Sequence, residues 1–96
     1  MPDNASPFTI RHNADAHRFE TTVDGHMGTA EYRLDPGVMV LTHTVVHPSI
    51  EGRGIAAALV RTALDHARAQ GLKVQPQCSY TRDYMARHPE TQDLHT

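Results

Sequence analysis

The stretch HPSIEGRGIAAALV, residues 47–60, decides how the rest of the chain is read. It closes an apolar run, passes through Pro48, Gly52 and Gly54, and then changes period: Ile55, Leu59, Ala63 and Ala67 recur every four positions, joined by Ala56, Val60 and Leu64. That spacing predicts an amphipathic helix from residue 55, with Arg61, Asp65, Arg68 and Gln70 on its polar side, Arg68 suited to the negative C-terminal end and Gly71 to the left-handed stop. A turn of small residues feeding a helix N-terminus bares main-chain N–H groups at the positive end of the helix dipole. Side chains there would hold a phosphate off the backbone, so Gly52, Gly54, Ala56 and Ala57 are the residue types an anion site asks for. The competing reading is that two glycines merely turn a corner.

Working outward, VMVLTHTVV (38–46) is apolar on both faces and predicts a central strand covered by helices on two sides. Strict alternation puts His43 on the face of Met39, Leu41 and Val45, where a polar ring needs a partner. LKVQP (72–76) follows the helix as a short strand, so strand, helix and strand make a crossover with two parallel strands. FTIRHN (8–13), HRFETTVD (17–24) and HMGTAEYRL (26–34) are strand-length and separated by turn residues, Asp24-Gly25 among them, and DPGV (35–38) has a type II turn pattern. TRDYMARH (81–88) predicts a shorter second helix stopped by Pro89. The fold class is therefore α/β with a mixed sheet: antiparallel N-terminal strands, a β-α-β crossover and a short C-terminal helix. Residues 1–96 read as a single domain with loose ends at roughly 1–5 and 90–96.

Composition narrows the function classes. With no Trp and five Phe plus Tyr, packing falls to aliphatic side chains, which suits helices laid on a sheet. A net charge of −2 and no Lys/Arg run argue against nucleic-acid binding. The longest apolar run, IAAALV, is far short of the ~20 residues that span a bilayer. One cysteine, Cys78, and an N-terminus without signal-peptide character point to a cytoplasmic protein; the Asn4-Ala5-Ser6 sequon then carries no meaning. Eight histidines raise the question of a metal, but His43 and His47 on a strand stand roughly 13 Å apart and cannot share an ion. His12, His17, His26 and His66 read as solvated, and no metal site is expected.

At the loop Glu51-Gly52-Arg53-Gly54-Ile55-Ala56 the sequence resembles the GNAT acetyltransferase superfamily, whose pyrophosphate loop reads Q/R-x-x-G-x-G/A between the fourth strand and the next helix. HTVVHP, GRGIAAALVRTALDHAR, GLKVQPQCSY and YMARHP resemble the small branch of that superfamily, of about one hundred residues. The match covers residues 43–89. Glu51 departs from the pattern and sets an acid beside the loop.

The resemblance implies acetyl-CoA (coenzyme A) as co-substrate and an amine as acceptor. The coenzyme would lie between splayed parallel strands, held by Gly52, Arg53, Gly54, Ile55, Ala56 and Ala57, by main-chain atoms of Val45 and Val46, and by the ring of Tyr80. His43, an imidazole, is either the base for the amine or a structural histidine. Cys78 forms a Cys–His pair with His43, as acetyl-carrying nucleophile or assistant, or it lines the cleft passively. Tyr84 or Tyr80 protonates the departing thiolate, or packs. The helices and strands that enclose the acceptor in larger relatives have no room here, which suits a polypeptide or other large amine. A coenzyme-binding module without catalysis and an interaction domain on the same scaffold remain the alternatives.

Overall fold

The computed structural model describes residues 8–96, so the sequon and the N-terminal end lie outside the described residues. Five strands, β1 (Arg11–Asn13), β2 (Arg18–Val23), β3 (His26–Asp35), β4 (Val38–Val46) and β5 (Lys73–Pro76), form one mixed sheet in the order β1-β2-β3-β4-β5. The first three pairings are antiparallel and the last, β4 with β5, is parallel. The crossover is α1 (Ile55–Ala69), and α2 (Ser79–Arg87) follows β5. Turn chemistry sets the hairpins: Asp24 and Gly25 both take positive φ (52° and 78°), as a tight two-residue hairpin loop needs, and Gly37 (72°) takes the left-handed position of the DPGV turn. β1 is shorter than expected because the Thr9 carbonyl accepts from the Thr21 hydroxyl (2.7 Å) and not from the strand ladder.

α1 buries Ile55, Leu59, Val60, Ala63, Leu64 and Ala67, the predicted stripe with Ala56 left half-buried. It stops in a Schellman motif: Leu72 N–H bonds Ala67 C=O (2.8 Å), Gly71 N–H bonds Arg68 C=O (3.2 Å), and Gly71 has φ 70°. Its N-terminal half lies close to the sheet because Gly28 is opposite; a Cβ there would stand 3.0 Å from Ile55 Cγ2.

Two expectations are corrected. Both helices join a single core with Met39, Leu41 and Val74, and they pack on the same face of the sheet. Among the described residues no helix covers the other face, where Lys73 and Gln75 are exposed on β5, Arg33 on β3, and His43 and Val45 on β4. β4 is thus covered by helices on one side, and Val40, on the other face between its ladder neighbours Arg33 and Gln75, is nevertheless fully buried.

The C-terminal end is not loose either. Residues Pro89–Leu94 form a 3₁₀ turn with Thr91 and Leu94 buried. The Arg68 guanidinium grips Asp93 (2.6 and 3.1 Å) and the Glu90 carbonyl (3.1 Å), Lys73 Nζ donates to the Asp93 carbonyl (2.7 Å), and Thr96 N–H reaches the Val74 carbonyl (3.1 Å). Arg68 therefore holds the tail as well as the helix end.

The histidines also differ from expectation. His12 stacks on Phe19 (centroids 4.3 Å), meets His66 edge-on (4.4 Å) and hydrogen-bonds the Tyr32 hydroxyl (2.7 Å), while His26 stacks on His47 (4.1 Å). In a chain poor in aromatic rings, imidazoles do part of the aromatic packing.

Leu94→Ala is expected to cost about 2–5 kcal/mol, the range for removing a buried leucine side chain, measured by denaturant unfolding. An effect within ~0.5 kcal/mol, the range of an ordinary surface substitution, would mean that the tail is not part of the core.

Candidate functional site

The site begins at one irregularity in β4. Glu31 faces His43 across the β3–β4 ladder, yet the next residue, Tyr32, faces Leu41, so Thr42 is an inserted residue: a β-bulge. The Thr42 hydroxyl donates to the Glu31 carbonyl (3.2 Å), occupying a group beside the disrupted ladder. An inserted residue resets the alternation of faces. Up to Leu41 the odd residues Met39 and Leu41 face α1; beyond it Thr44 and Val46, the register partners of Ala30 and Gly28, take that face.

His43 is thereby turned to the face opposite α1. Its Nδ1 lies 3.8 Å from Glu31 Oε1, with the side chains 70% and 43% exposed. The expected Cys78–His43 pair is not formed. Cys78 Sγ instead lies 3.6 Å from Thr44 Oγ1, the thiol donating when protonated and the hydroxyl able to donate back to the thiolate. Burial pushes the thiol up, but the Thr44 hydroxyl, the main-chain N–H groups of Thr81 and Tyr80 and the Thr81 hydroxyl outweigh it, leaving the Cys78 pKa below its ordinary value. Thr81 Oγ1 is buried without a hydrogen bond of good geometry, and the thiol is the group it acts on.

β4 and β5 part company at the same level. β5 pairs only with Val38–Leu41, and the N–H groups of both Gln77 and Cys78 then bond the Leu41 carbonyl (3.0 Å each) before the chain turns into α2. Residues 42–46 of β4 continue with no strand on that side among the described residues. The space on the α1 face is a cleft of about 360 Å³ whose walls include Thr44, Val46, Gly54, Ala56, Ala57 and Tyr80.

At one end of this cleft the chain crosses a short 3₁₀ turn (Pro48–Ile50), anchored by fully buried Ile50 and capped by His47 Nδ1, which accepts from Ser49 N–H (3.0 Å). Gly52 and Gly54 then take φ 79° and 80°. A Cβ at either glycine would meet no protein atom, so the backbone angle requires glycine there and the space before it is open. The first intrahelical bond of α1 runs from Ala58 N–H to Gly54 C=O (3.1 Å), no side chain caps the helix, and its first turn contains no acid. The N–H groups of Ile55, Ala56 and Ala57 precede that bond and are available to an anion.

The structure therefore brings together Val46, Gly52, Gly54, Ile55, Ala56, Ala57 and Tyr80, with Glu51 in the wall as well. Three more of the expected residues do not line the cleft, the first being Val45, which is paired with Thr29 and exposed on the opposite face. The Arg53 guanidinium is tied to Asp24 (2.6 Å) in the β2–β3 turn, and Arg53 does not line the cleft. Tyr84 is 6% exposed, stacked on His88 (4.0 Å), and lines a different groove with Leu64 and Leu94; burial raises its pKa. Thr44, Ile50 and Thr81 were not singled out from the sequence. The polar break Thr42-His43-Thr44 in an apolar strand was the available signal.

The family model described as GCN5-related N-acetyl-transferase matches residues 18–94. Protein NATD1 of Mus musculus is 29% identical over 96 residues, covering 96% of this chain and 86% of its own length, and NATD1 of Homo sapiens is also 29% identical, covering 84% of its own length. A solution structure from Staphylococcus aureus, described as a GCN5-like N-acetyltransferase candidate, superposes with a TM-score of 0.75 at 23% identity, covering 96% of this chain and 91% of that one. The chain belongs to the GCN5-related N-acetyltransferase family and has its fold.

Thr44→Val removes the hydroxyl that stabilises the thiolate. The alkylation rate of Cys78 by iodoacetamide, followed against pH, is expected to shift its midpoint upward and to fall at any fixed pH below that midpoint. An unchanged profile would remove Thr44 as the thiol's partner.

Proposed function

We propose that this family member transfers an acetyl group from acetyl-CoA to an amine, with the coenzyme in the cleft between β4 and the start of α1. The observation that carries this reading is the bared α1 N-terminus, standing behind two left-handed glycines at the mouth of a cleft that opens where β4 leaves β5.

The main-chain N–H groups of Ile55, Ala56 and Ala57 hold the diphosphate, and Gly52 and Gly54 let it approach. The free edge of β4 at Val45 and Val46 offers main-chain partners to the pantetheine arm, and Tyr80 lines the cleft wall. The coenzyme supplies an activated thioester. A β4 main-chain N–H polarises its carbonyl. The amine enters as an ammonium and gives one proton to His43; its nitrogen forms a bond to the carbonyl carbon, the C–S bond breaks, the thiolate takes a proton from Tyr80, a hydroxyl in the wall, and the nitrogen gives up its second proton, which restores the Tyr80 hydroxyl. One ammonium and one acetyl thioester become an amide, a free thiol and one released proton. Arg53 reaches the phosphates only by leaving Asp24.

Direct attack is favoured over an acetyl-cysteine route because the two residues that the covalent route must couple sit on opposite faces: His43 with Glu31, Cys78 with Thr44. Glu51 in the cleft wall favours a second reading, a coenzyme-binding module with little catalysis.

Coenzyme A at a 100-fold excess over Kd is expected to add about 2.7 kcal/mol of stability, read as a rise in Tm. Gly54→Glu should abolish that rise, whereas Gly54→Ala, which shares the backbone strain without the charge, should retain part of it. Binding by Gly54→Glu equal to wild type would remove the loop from the site.

Free-thiol release on adding amines separates transfer from mere binding, and coenzyme binding without release by any amine would favour the second reading. Cys78→Ser is expected to keep transfer within a few fold, and rapid-quench intact mass should show no acetyl on the wild-type chain. An acetyl adduct that Cys78→Ser eliminates would establish the covalent route instead.

A further inference from the structure

Resting on the acetyl-transfer reading and deepening it, the geometry points to Glu31 as the side chain that selects the acceptor, favouring a cationic amine that carries an apolar group and no carboxylate beside its nitrogen. Three observations lead there.

The first is topological. Where β4 leaves β5 the sheet has a gap, so a group held on the α1 face is reachable from the opposite face past the bulge at Thr42. The α1 face is taken by the coenzyme, which leaves the other face for the acceptor.

The second is electrostatic. The neighbouring carboxylates are already neutralised: Glu20 is held by Arg18 (2.8 Å) and Arg11 (3.4 Å) with its side chain 12% exposed, and Asp35 is held by Arg33 (3.2 Å). Glu31, one strand from the gap on β3, lies 3.8 Å from His43 Nδ1, and Arg18, its cross-strand partner on β2, is turned to Glu20. A carboxylate half open to solvent, whose neighbouring arginine is engaged by another carboxylate, attracts an ammonium and repels a second carboxylate. His43 Nδ1 faces Glu31, which leaves Nε2 as the ring atom to take the amine's proton.

The third is apolar. Met27, Leu34 and Val45 are the large apolar residues left exposed among the described residues, and Met27 and Val45 share this face: Val45 is paired with Thr29, and Met27 is two residues along β3. They offer a shelf to an apolar group beside the nitrogen.

Phenethylamine and phenylalanine test this directly, because they share a skeleton and differ by one carboxylate next to the amine. Phenethylamine is expected to be the better acceptor in free-thiol release. Glu31→Gln should raise its KM by about tenfold, the scale of a lost charge-assisted hydrogen bond, leave the Kd for coenzyme A unchanged and narrow the preference over phenylalanine; Glu31→Asp should recover part of the loss. Met27→Ser should raise the KM for phenethylamine more than for ethylamine. Amide NMR of the coenzyme-bound chain titrated with phenethylamine gives a readout independent of turnover, with shifts expected at Met27, Glu31 and Val45 that Glu31→Gln weakens. Wild-type transfer with a KM unchanged by Glu31→Gln, or shifts confined to other surfaces, overturns this inference alone. Failure of the wild-type chain to bind coenzyme A overturns it together with the acetyl-transfer reading.

Discussion

One inserted residue, Thr42, governs the functional half of this molecule. Before it, β4 is an ordinary strand of the sheet, paired on both edges and anchored by Met39 and Leu41 in the core. After it, the alternation of faces is reversed and the β5 side of the strand is free. A bulge adds local twist, and its effect on the side chains is specific: Thr44 and not His43 faces Cys78, Val46 lies against the start of α1, and His43 stands beside Glu31. The irregularity is itself stabilised, since the Thr42 hydroxyl bonds the carbonyl of Glu31.

The second constraint is the entry to α1. A helix N-terminus has three or four N–H groups to satisfy, and proteins commonly give them a Ser, Thr, Asp or Asn cap. This chain instead places Gly54 there, with no acid in the first turn, and fixes the approach by burying Ile50 and capping the preceding turn with His47. The site is left chemically unsatisfied but geometrically held, which is what a preorganised anion site requires. Glu51 and the Arg53–Asp24 pair work against that purpose: one places an acid in the wall, and the other diverts a cation that could offset it.

Much of the architecture is legible in the sequence because it rests on local signals. The four-residue recurrence from Ile55 to Ala67, the Asp24-Gly25 and Pro36-Gly37 turns and the Gly71 stop each name an element or its end, and the β4 bounds, Val38–Val46, match the apolar run. The bulge is illegible because Thr42 is an ordinary strand residue with no glycine to mark it, and strict alternation therefore assigns His43 to the wrong face. Tyr84 lies away from the cleft for a related reason: reading TRDYMARH as an isolated helix takes no account of the tail that covers this side of α2. That tail holds one large apolar residue, Leu94, and is otherwise gripped by Arg68 and Lys73 through contacts that no pattern within residues 90–96 announces.

The economy of the chain explains why the site can be so open. Both helices and the tail are spent on one face of the five-stranded sheet. The remaining face is kept wet by paired charges, Arg11 and Arg18 on Glu20 and Arg33 on Asp35, which suit a solvated surface and discourage association. Against that background Met27 and Val45 stand out, and so does Glu31, whose cross-strand neighbour Arg18 is turned to Glu20. They cluster at the place where the bulge has opened the sheet. Enclosure by extra helices would exclude water more fully, but it would also limit acceptor size; a sheet face without helices sets no such limit and leaves selection to the few side chains beside the gap.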